Sequence, residues 1–177
     1  MLKRVKINMS NDNNLPIFVI QEHDATRLHY DFRLEDSGVL KSWVLTKLPD
    51  LNPVNKHLAI KVADHELSYK YFEGIIPKGE YGAGSVIVWD TGTFKNLKSK
   101  PLSECLQEGK AEFFLDGKKL KGNFALIKTK YKENSWLLIK LKDQYANKFV
   151  SKKNTSVLSD KTIEGLNQQI ESVNRLC

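Results

Sequence analysis

The residues with the most chemistry in this chain lie in Gln21-Glu22-His23-Asp24-Ala25-Thr26-Arg27-Leu28-His29-Tyr30-Asp31-Phe32-Arg33-Leu34, which alternates strictly between apolar and ionisable types from Leu28 onward. On a β-strand successive side chains point to opposite faces. The pattern therefore predicts Leu28, Tyr30, Phe32 and Leu34 in a hydrophobic layer and His29, Asp31 and Arg33 together on the other face. Same-face neighbours on a strand are roughly 6–7 Å apart, close enough for an imidazole and a carboxylate to converge on one metal ion. His23, returning on the preceding strand through the Asp24–Arg27 turn, offers a third ligand. Two histidines and a carboxylate suit Mn²⁺, Fe²⁺ or Zn²⁺ and leave coordination positions open for a substrate oxygen. Arg33, just beyond the carboxylate, is placed as an anion clamp. An isolated His-x-Asp pair reads equally as a hydrogen-bonded polar face; His23 and Arg33 beside it favour the metal.

A second cluster runs Asp64-His65-Glu66-Leu67-Ser68-Tyr69, followed by Phe72-Glu73-Gly74-Ile75-Ile76-Pro77-Lys78-Gly79-Glu80-Tyr81-Gly82-Ala83-Gly84. Glycines and proline mark a long, constrained loop of the kind that shapes a site on a rigid β scaffold. His65 is a candidate to donate to a phosphate oxygen or to protonate a leaving group, with Tyr69 four residues on to orient it. Lys47 and Gln21 are further candidate donors. The spacing of Gly79, Gly82 and Gly84 is not a dinucleotide fingerprint, because no strand-to-helix transition surrounds it.

These groups need a rigid frame, and the chain supplies short β-type runs separated by turn signals: Ile17–Gln21, Leu28–Leu34, Val39–Val44, His57–Val62, Ser85–Trp89, Glu112–Leu115, Asn123–Lys128 and Trp136–Lys140. Many short strands with hairpin chemistry at Glu35-Asp36-Ser37-Gly38 and Asp116-Gly117 predict a mostly β fold, a compact and largely antiparallel barrel or sandwich. A short helix is expected over Pro101–Glu108, with Ser99 as its N-cap and Gly109 as its stop. After Asn147 the chain turns polar, then Ile163, Leu166, Ile170, Val173 and Leu176 recur at helical spacing. The expected organisation is a flexible N-terminal arm over 1–15, a barrel domain over 16–146, and a polar linker with a terminal amphipathic helix over 147–177.

At 177 residues, 41% hydrophobic and 28% charged, with three Trp and eight Phe, the chain has the composition of one folded domain. No run approaches the roughly 18 apolar residues of a membrane-spanning helix, and the N-terminus lacks an apolar signal core. A soluble protein of the cytoplasm, with no membrane partner, is the expectation. Its two cysteines, Cys105 and Cys177, show no CxxC spacing and are expected reduced. The formal charge of +7 would speed capture of a polyanion such as nucleic acid.

Three segments, QEHDATRLHYDFRLE, GVLKSW and DHELSYKYFEGIIPKGEYGAG with the VIVWD that follows, closely resemble the 3′-phosphoesterase module of bacterial DNA ligase D and its free-standing relatives. GKAEFFLDGKKLKGNFALIKT and NSWLLIKLKD extend the resemblance, so that it spans about Pro16 to Ala146. It implies a compact antiparallel β-barrel with a polar active-site crater, one or two short helices and, beyond it, the C-terminal helix. It also implies Mn²⁺-dependent action on nucleic acid 3′ ends at primer–template junctions: removal of a 3′-terminal ribonucleoside and of the 3′-phosphate, leaving a 3′-OH. The family's metal ligands fall on His23, His29 and Asp31, with other divalent transition metals as alternatives to manganese. Its phosphate-contacting positions fall on Gln21, Arg33, Lys47 and His65, and Tyr69 matches a functional tyrosine.

The chain departs from the family pattern in two places. Lys56-His57 stands where relatives often carry arginine, and neither residue has the bidentate guanidinium fork, although His57 can still contact phosphate. Met1–Leu15 lacks a clear counterpart of the longer arm of the ligase-fused enzymes. A ligase, polymerase or end-binding repair protein would then be a separate partner. Two other chemistries compete. A mononuclear iron oxygenase would use His29, Asp31 and His65, and a non-catalytic nucleic-acid-binding barrel would use aromatics such as Trp43, Tyr69, Tyr71 and Tyr81 to stack on bases.

Overall fold

The computed structural model describes residues 14–151 and 153–175. The expected N-terminal arm falls almost wholly outside them, as do Leu176 and Cys177. Among the described residues nine strands appear in chain order: β1 (Ile17–Asp24), β2 (Leu28–Asp36), β3 (Val39–Leu45), β4 (Lys56–Glu66), β5 (Gly74–Ile76), β6 (Gly84–Asn96), β7 (Lys110–Gly117), β8 (Lys121–Lys128) and β9 (Ser135–Lys140). A 3-10 turn at Leu67–Tyr71 and two helices, α1 (Leu102–Gln107) and α2 (Ile163–Asn174), complete the set. The strands pair in the order β1-β2-β3-β4-β9-β8-β7-β6, and β6 returns to β1, so eight strands close a barrel; β5 pairs with the first residues of β6. Every pairing is antiparallel. The predicted mostly β barrel is therefore the observed fold.

Alternation sets which face each strand buries. Phe18 and Ile20 of β1, Phe32 and Leu34 of β2, and Trp43 and Leu45 of β3 share one core cluster with Phe113, Leu115, Phe124 and Leu138 from the far wall. Phe32 sits at its centre, with its ring centroid 6.1 Å from Trp43 and 6.0 Å from Phe113. Emptying such a position costs about 3–5 kcal/mol. Leu28, expected in this layer, is 46% exposed, because β2 begins there beyond the end of the packed interior.

The β2–β3 hairpin turns on Ser37 and Gly38, both at positive φ (52° and 79°), as a two-residue hairpin requires. The β7–β8 turn works differently from the expectation. Gly117 is not in the left-handed region; it is glycine because a Cβ there would lie 2.5 Å from Asp90 Oδ2 and 2.6 Å from Phe18 Cζ. The buried Asp90 carboxylate holds that turn by accepting from the backbone N–H groups of Lys118, Lys119 and Leu120 at 2.8–3.0 Å. Helix α1 starts from Pro101, with no side-chain cap, so Ser99 does not cap it; Gly109 at φ 85° ends it as expected.

Several strands run longer than their hydrophobic patterns, β6 most of all, and β5 lies where only a constrained loop was expected. The tail is packed on the barrel. Thr162 caps α2 by accepting from Gly165 N, Ile163 and Leu166 bury against Ile87, and Asn167 bridges Asp24 and Ser85. Val173, near the helix end, is 61% exposed, so the apolar stripe is used only in its first half. Cys105 is a buried free thiol. Among the described residues no helix is long and apolar enough to cross a membrane.

Candidate metal centre

The β1–β2 register decides the site. It sets His23 directly opposite His29, Gln21 opposite Asp31 and Val19 opposite Arg33. Tyr30, Phe32 and Leu34 face the core, so His29, Asp31 and Arg33 lie on the outer face of the barrel wall, beside Gln21 and His23. The chain from the 3-10 turn through β5 to Gly82 folds over this patch. The result is a pocket of about 270 Å³ lined by His23, His29, Asp31, Arg33, His65 and Tyr69, with Tyr81 and Gly82 at its roof.

Hydrogen-bond partners select the ring tautomers. The Gly82 carbonyl lies 2.6 Å from His23 Nε2 and the Arg27 carbonyl 2.9 Å from His29 Nδ1. A carbonyl only accepts, which assigns the N–H to those two nitrogens. His23 Nδ1 is then left 3.2 Å from Asp31 Oδ2, and His29 Nε2 3.6 Å from Asp31 Oδ1. One ligand atom from each of His23, His29 and Asp31 falls within 4.8 Å of the others. Metal-binding histidines characteristically donate their second nitrogen to a carbonyl or carboxylate, which fixes the ring and raises its basicity. Two such imidazoles converging on a nearly buried carboxylate fit a divalent transition metal, and the donor set is the one the spacing predicted.

The electrostatics agree with a cation-seeking cluster. Burial works to raise the Asp31 pKa, but the hydrogen bonds that the His23 and His29 rings donate to it when they carry a second proton, with no cation between them, and the charge of Arg33 outweigh it, holding the carboxyl well below its usual range. The Asp31 hydrogen bond in turn raises the His29 pKa against the effect of burial.

Arg33 is 2% exposed and anchored on three sides. Its Nε donates to Gln21 Oε1 and its Nη1 to Ser42 Oγ, both at 2.8 Å, while Nη2 lies 3.5 Å from Asp31 Oδ2. Its guanidinium carbon is 5.3 Å from the centre of the Tyr69 ring. Gln21 itself is fully buried, and its Nε2 donates to the Tyr69 and Phe72 carbonyls. With both ends of its amide engaged, Gln21 positions Arg33 and ties the roof to β1; it offers no free group to a phosphate.

His65, near the end of β4, donates from Nδ1 to the Ala63 carbonyl at 3.1 Å, and Nε2 has no partner among the described residues. Burial and the nearby Arg33 lower its pKa. Tyr69 packs its ring 5.6 Å from that of His65 and stacks on Phe72 at 4.7 Å. It is placed to orient His65 by ring contact. Lys47 sits in the exposed turn after β3, and His57 opens β4 with its Nε2 buried and 3.7 Å from Asp50 Oδ1. Neither lines the pocket. Ser42 and the two carbonyls that set the histidine tautomers were not legible in the motif.

The family profile for the DNA Ligase D 3′-phosphoesterase domain matches residues 21–128. Over 153 residues the chain is 47% identical to the multifunctional non-homologous end joining protein LigD of Pseudomonas aeruginosa, covering 82% of this chain and 18% of that protein. It is 51% identical over 128 residues to the proteins of the same name from Mycobacterium bovis and, as a DNA repair protein, Mycobacterium tuberculosis, covering 72% of this chain and 16% of each. The chain thus spans less than a fifth of the length of these relatives. The profile match covers more than half of the chain and includes every residue of the candidate metal cluster, so the chain belongs to the DNA ligase D 3′-phosphoesterase domain family.

Proposed function

We propose that this domain is a Mn²⁺-dependent phosphoesterase that heals nucleic acid 3′ ends at primer–template or duplex junctions. It converts a 3′-phosphate to a 3′-OH in end-joining repair, and on a strand ending in a ribonucleotide it first releases the 3′-terminal ribonucleoside, leaving the 3′-phosphate on which that step acts. The observation that carries the reading is the convergence of His23, His29 and Asp31 on one point beside the anchored Arg33. Manganese bound there would act as a Lewis acid on a phosphate oxygen and on the attacking water.

The remaining work falls to side chains. Arg33, immobilised by Gln21 and Ser42, presents a fixed cation that stabilises charge developing on the phosphoryl oxygens at little reorganisation cost. His65 lines the pocket with its ring held by Ala63 and Tyr69; protonated, its Nε2 would donate to a phosphoryl oxygen or to the departing 3′-oxygen. Water adds its oxygen to phosphorus, the P–O3′ bond breaks, and the leaving oxygen takes a proton to become the 3′-OH as inorganic phosphate departs. Lys47, exposed and outside the pocket, would meet a phosphate further along a bound strand, whereas His57, with its Nε2 buried beside Asp50, is not placed to do so. His23, the nearer third ligand, and the Arg33 clamp support hydrolysis over an iron oxygenase built on His65. A separate ligase, polymerase or end-binding protein would take the healed end onward.

The test is a 5′-labelled primer–template ending in a 3′-phosphate or a single 3′-ribonucleotide, incubated with Mn²⁺, with EDTA, or with Asp31→Ala protein. Manganese-dependent formation of a 3′-OH end, lost in the variant, is expected. Failure of folded, manganese-loaded protein to convert either strand would refute the assignment.

A further inference from the structure

Tyr81 is 95% exposed on the loop between β5 and β6, yet it borders two adjoining hollows. One is the metal pocket. The other is a cleft of about 300 Å³ walled by Tyr69, Phe72, Ile76, Pro77 and Tyr81, and Tyr69, Ile76 and Tyr81 line both. Their chemistry differs sharply: the first gathers imidazoles, a carboxylate and a guanidinium, whereas the second is aromatic and aliphatic apart from Glu80. A strand end that puts its phosphate at the metal must place the attached nucleoside one step away, and a flat base is the part of that nucleoside suited to an apolar, aromatic wall.

We propose that this cleft receives the base of the nucleotide bearing the scissile phosphate, with Tyr81 as its stacking face; the inference rests on the hydrolase reading above. Tyr69 is unavailable for that role, because Phe72 stacks on it at 4.7 Å and the Arg33 guanidinium lies 5.3 Å from its ring centre. Among the described residues no aromatic ring or cation stacks on Tyr81. Gly79 and Gly82, at φ 96° and 75°, set the bends on either side of it, and the Gly82 carbonyl that holds His23 links the stacking loop directly to a metal ligand. Because every base has a π-face, the cleft takes all four without hydrogen-bond readout.

The experiment compares strands whose 3′-phosphate sits on an ordinary nucleotide or on a terminal abasic sugar, using wild-type, Tyr81→Ala and Tyr81→Trp proteins. Stacking of one base on one aromatic side chain corresponds to about tenfold to a hundredfold in affinity. Wild-type protein should show a KM lower by that factor for the base-bearing strand, Tyr81→Ala should bring the two KM values together, and Tyr81→Trp should keep them apart. A base preference that survives in Tyr81→Ala, or none in the wild type, would overturn the cleft assignment while leaving the hydrolase reading intact. Equilibrium binding of the same strands, followed by fluorescence anisotropy, separates the opposite case: Tyr81-dependent base preference without hydrolysis would sustain the cleft and sink the hydrolase.

Discussion

Gly82→Ala isolates the coupling between the roof and the metal ligands. Gly82 has φ 75°, and a Cβ there would stand 3.3 Å from His23 Cε1 and 3.8 Å from both His23 Nε2 and Ile76 Cδ1. Two effects follow from one methyl group. The left-handed backbone becomes strained by about 1–2 kcal/mol, and the His23 ring must give way by a few tenths of an ångström. Gly79 supplies the matched control, because it too has positive φ, 96°, but nothing lies within 4 Å of its Cβ position. Both alanine variants should therefore lose about 1–2 kcal/mol of stability, a Tm decrease of roughly 2–8 °C for a chain of this size. Only Gly82→Ala should disturb the metal. Outer-shell partners of metal-binding histidines are worth about 10- to 100-fold in metal affinity, and Gly82 supplies such a partner through its carbonyl. Calorimetric titration of Mn²⁺ into the two metal-free variants reads the difference directly, and activity titrated with Mn²⁺ should recover in Gly82→Ala at raised concentration. Equal Mn²⁺ affinities in the two variants would refute the claim that this carbonyl and this missing Cβ hold His23 in place.

Bound Mn²⁺ at a hundred times its Kd should stabilise the wild-type protein by about 2.7 kcal/mol, and Asp31→Asn should abolish that increment; a Mn²⁺-dependent Tm shift preserved in the variant would place the metal elsewhere. Arg33→Lys keeps a cation but loses the fork that engages Gln21 and Ser42, so turnover should fall by about 10²–10³ while Mn²⁺ affinity changes little, and normal turnover would remove Arg33 from the mechanism. Asp90→Asn turns a donor toward one of the backbone N–H groups that Asp90 now accepts, and should cost about 2–4 kcal/mol in denaturant unfolding with Mn²⁺ affinity unchanged.

The three candidate metal ligands were legible because everything that brings them together is local. Period-two alternation put His29 and Asp31 on one face, and a three-residue turn set the hairpin register that carries His23 across to His29. Where the alternation met the barrel's end it misled, as at Leu28, because a pattern records which side a residue faces and not whether the interior extends that far. Lys47 and His57 could not be placed for a longer-range reason. Both flank the β3–β4 connection, and whether that connection reaches the pocket depends on which strands close the barrel and how far the 67–84 segment folds back over β1 and β2. Strand β5 was hidden as well, since Gly74-Ile75-Ile76 is too short to show a period between glycine and proline. The resemblance implies a phosphate contact for Gln21, but the fold uses both ends of its amide to hold Arg33 and the roof. The outer shell was the least legible of all. The groups that set the histidine tautomers are the carbonyls of Arg27 and Gly82, and a backbone acceptor has no residue identity to read. What sequence can register is the conformation such an acceptor needs. Gly82 is glycine because the chain must turn through positive φ within van der Waals reach of the His23 ring, so the Gly-rich stretch that looked like loop chemistry is the outer shell of the candidate metal centre.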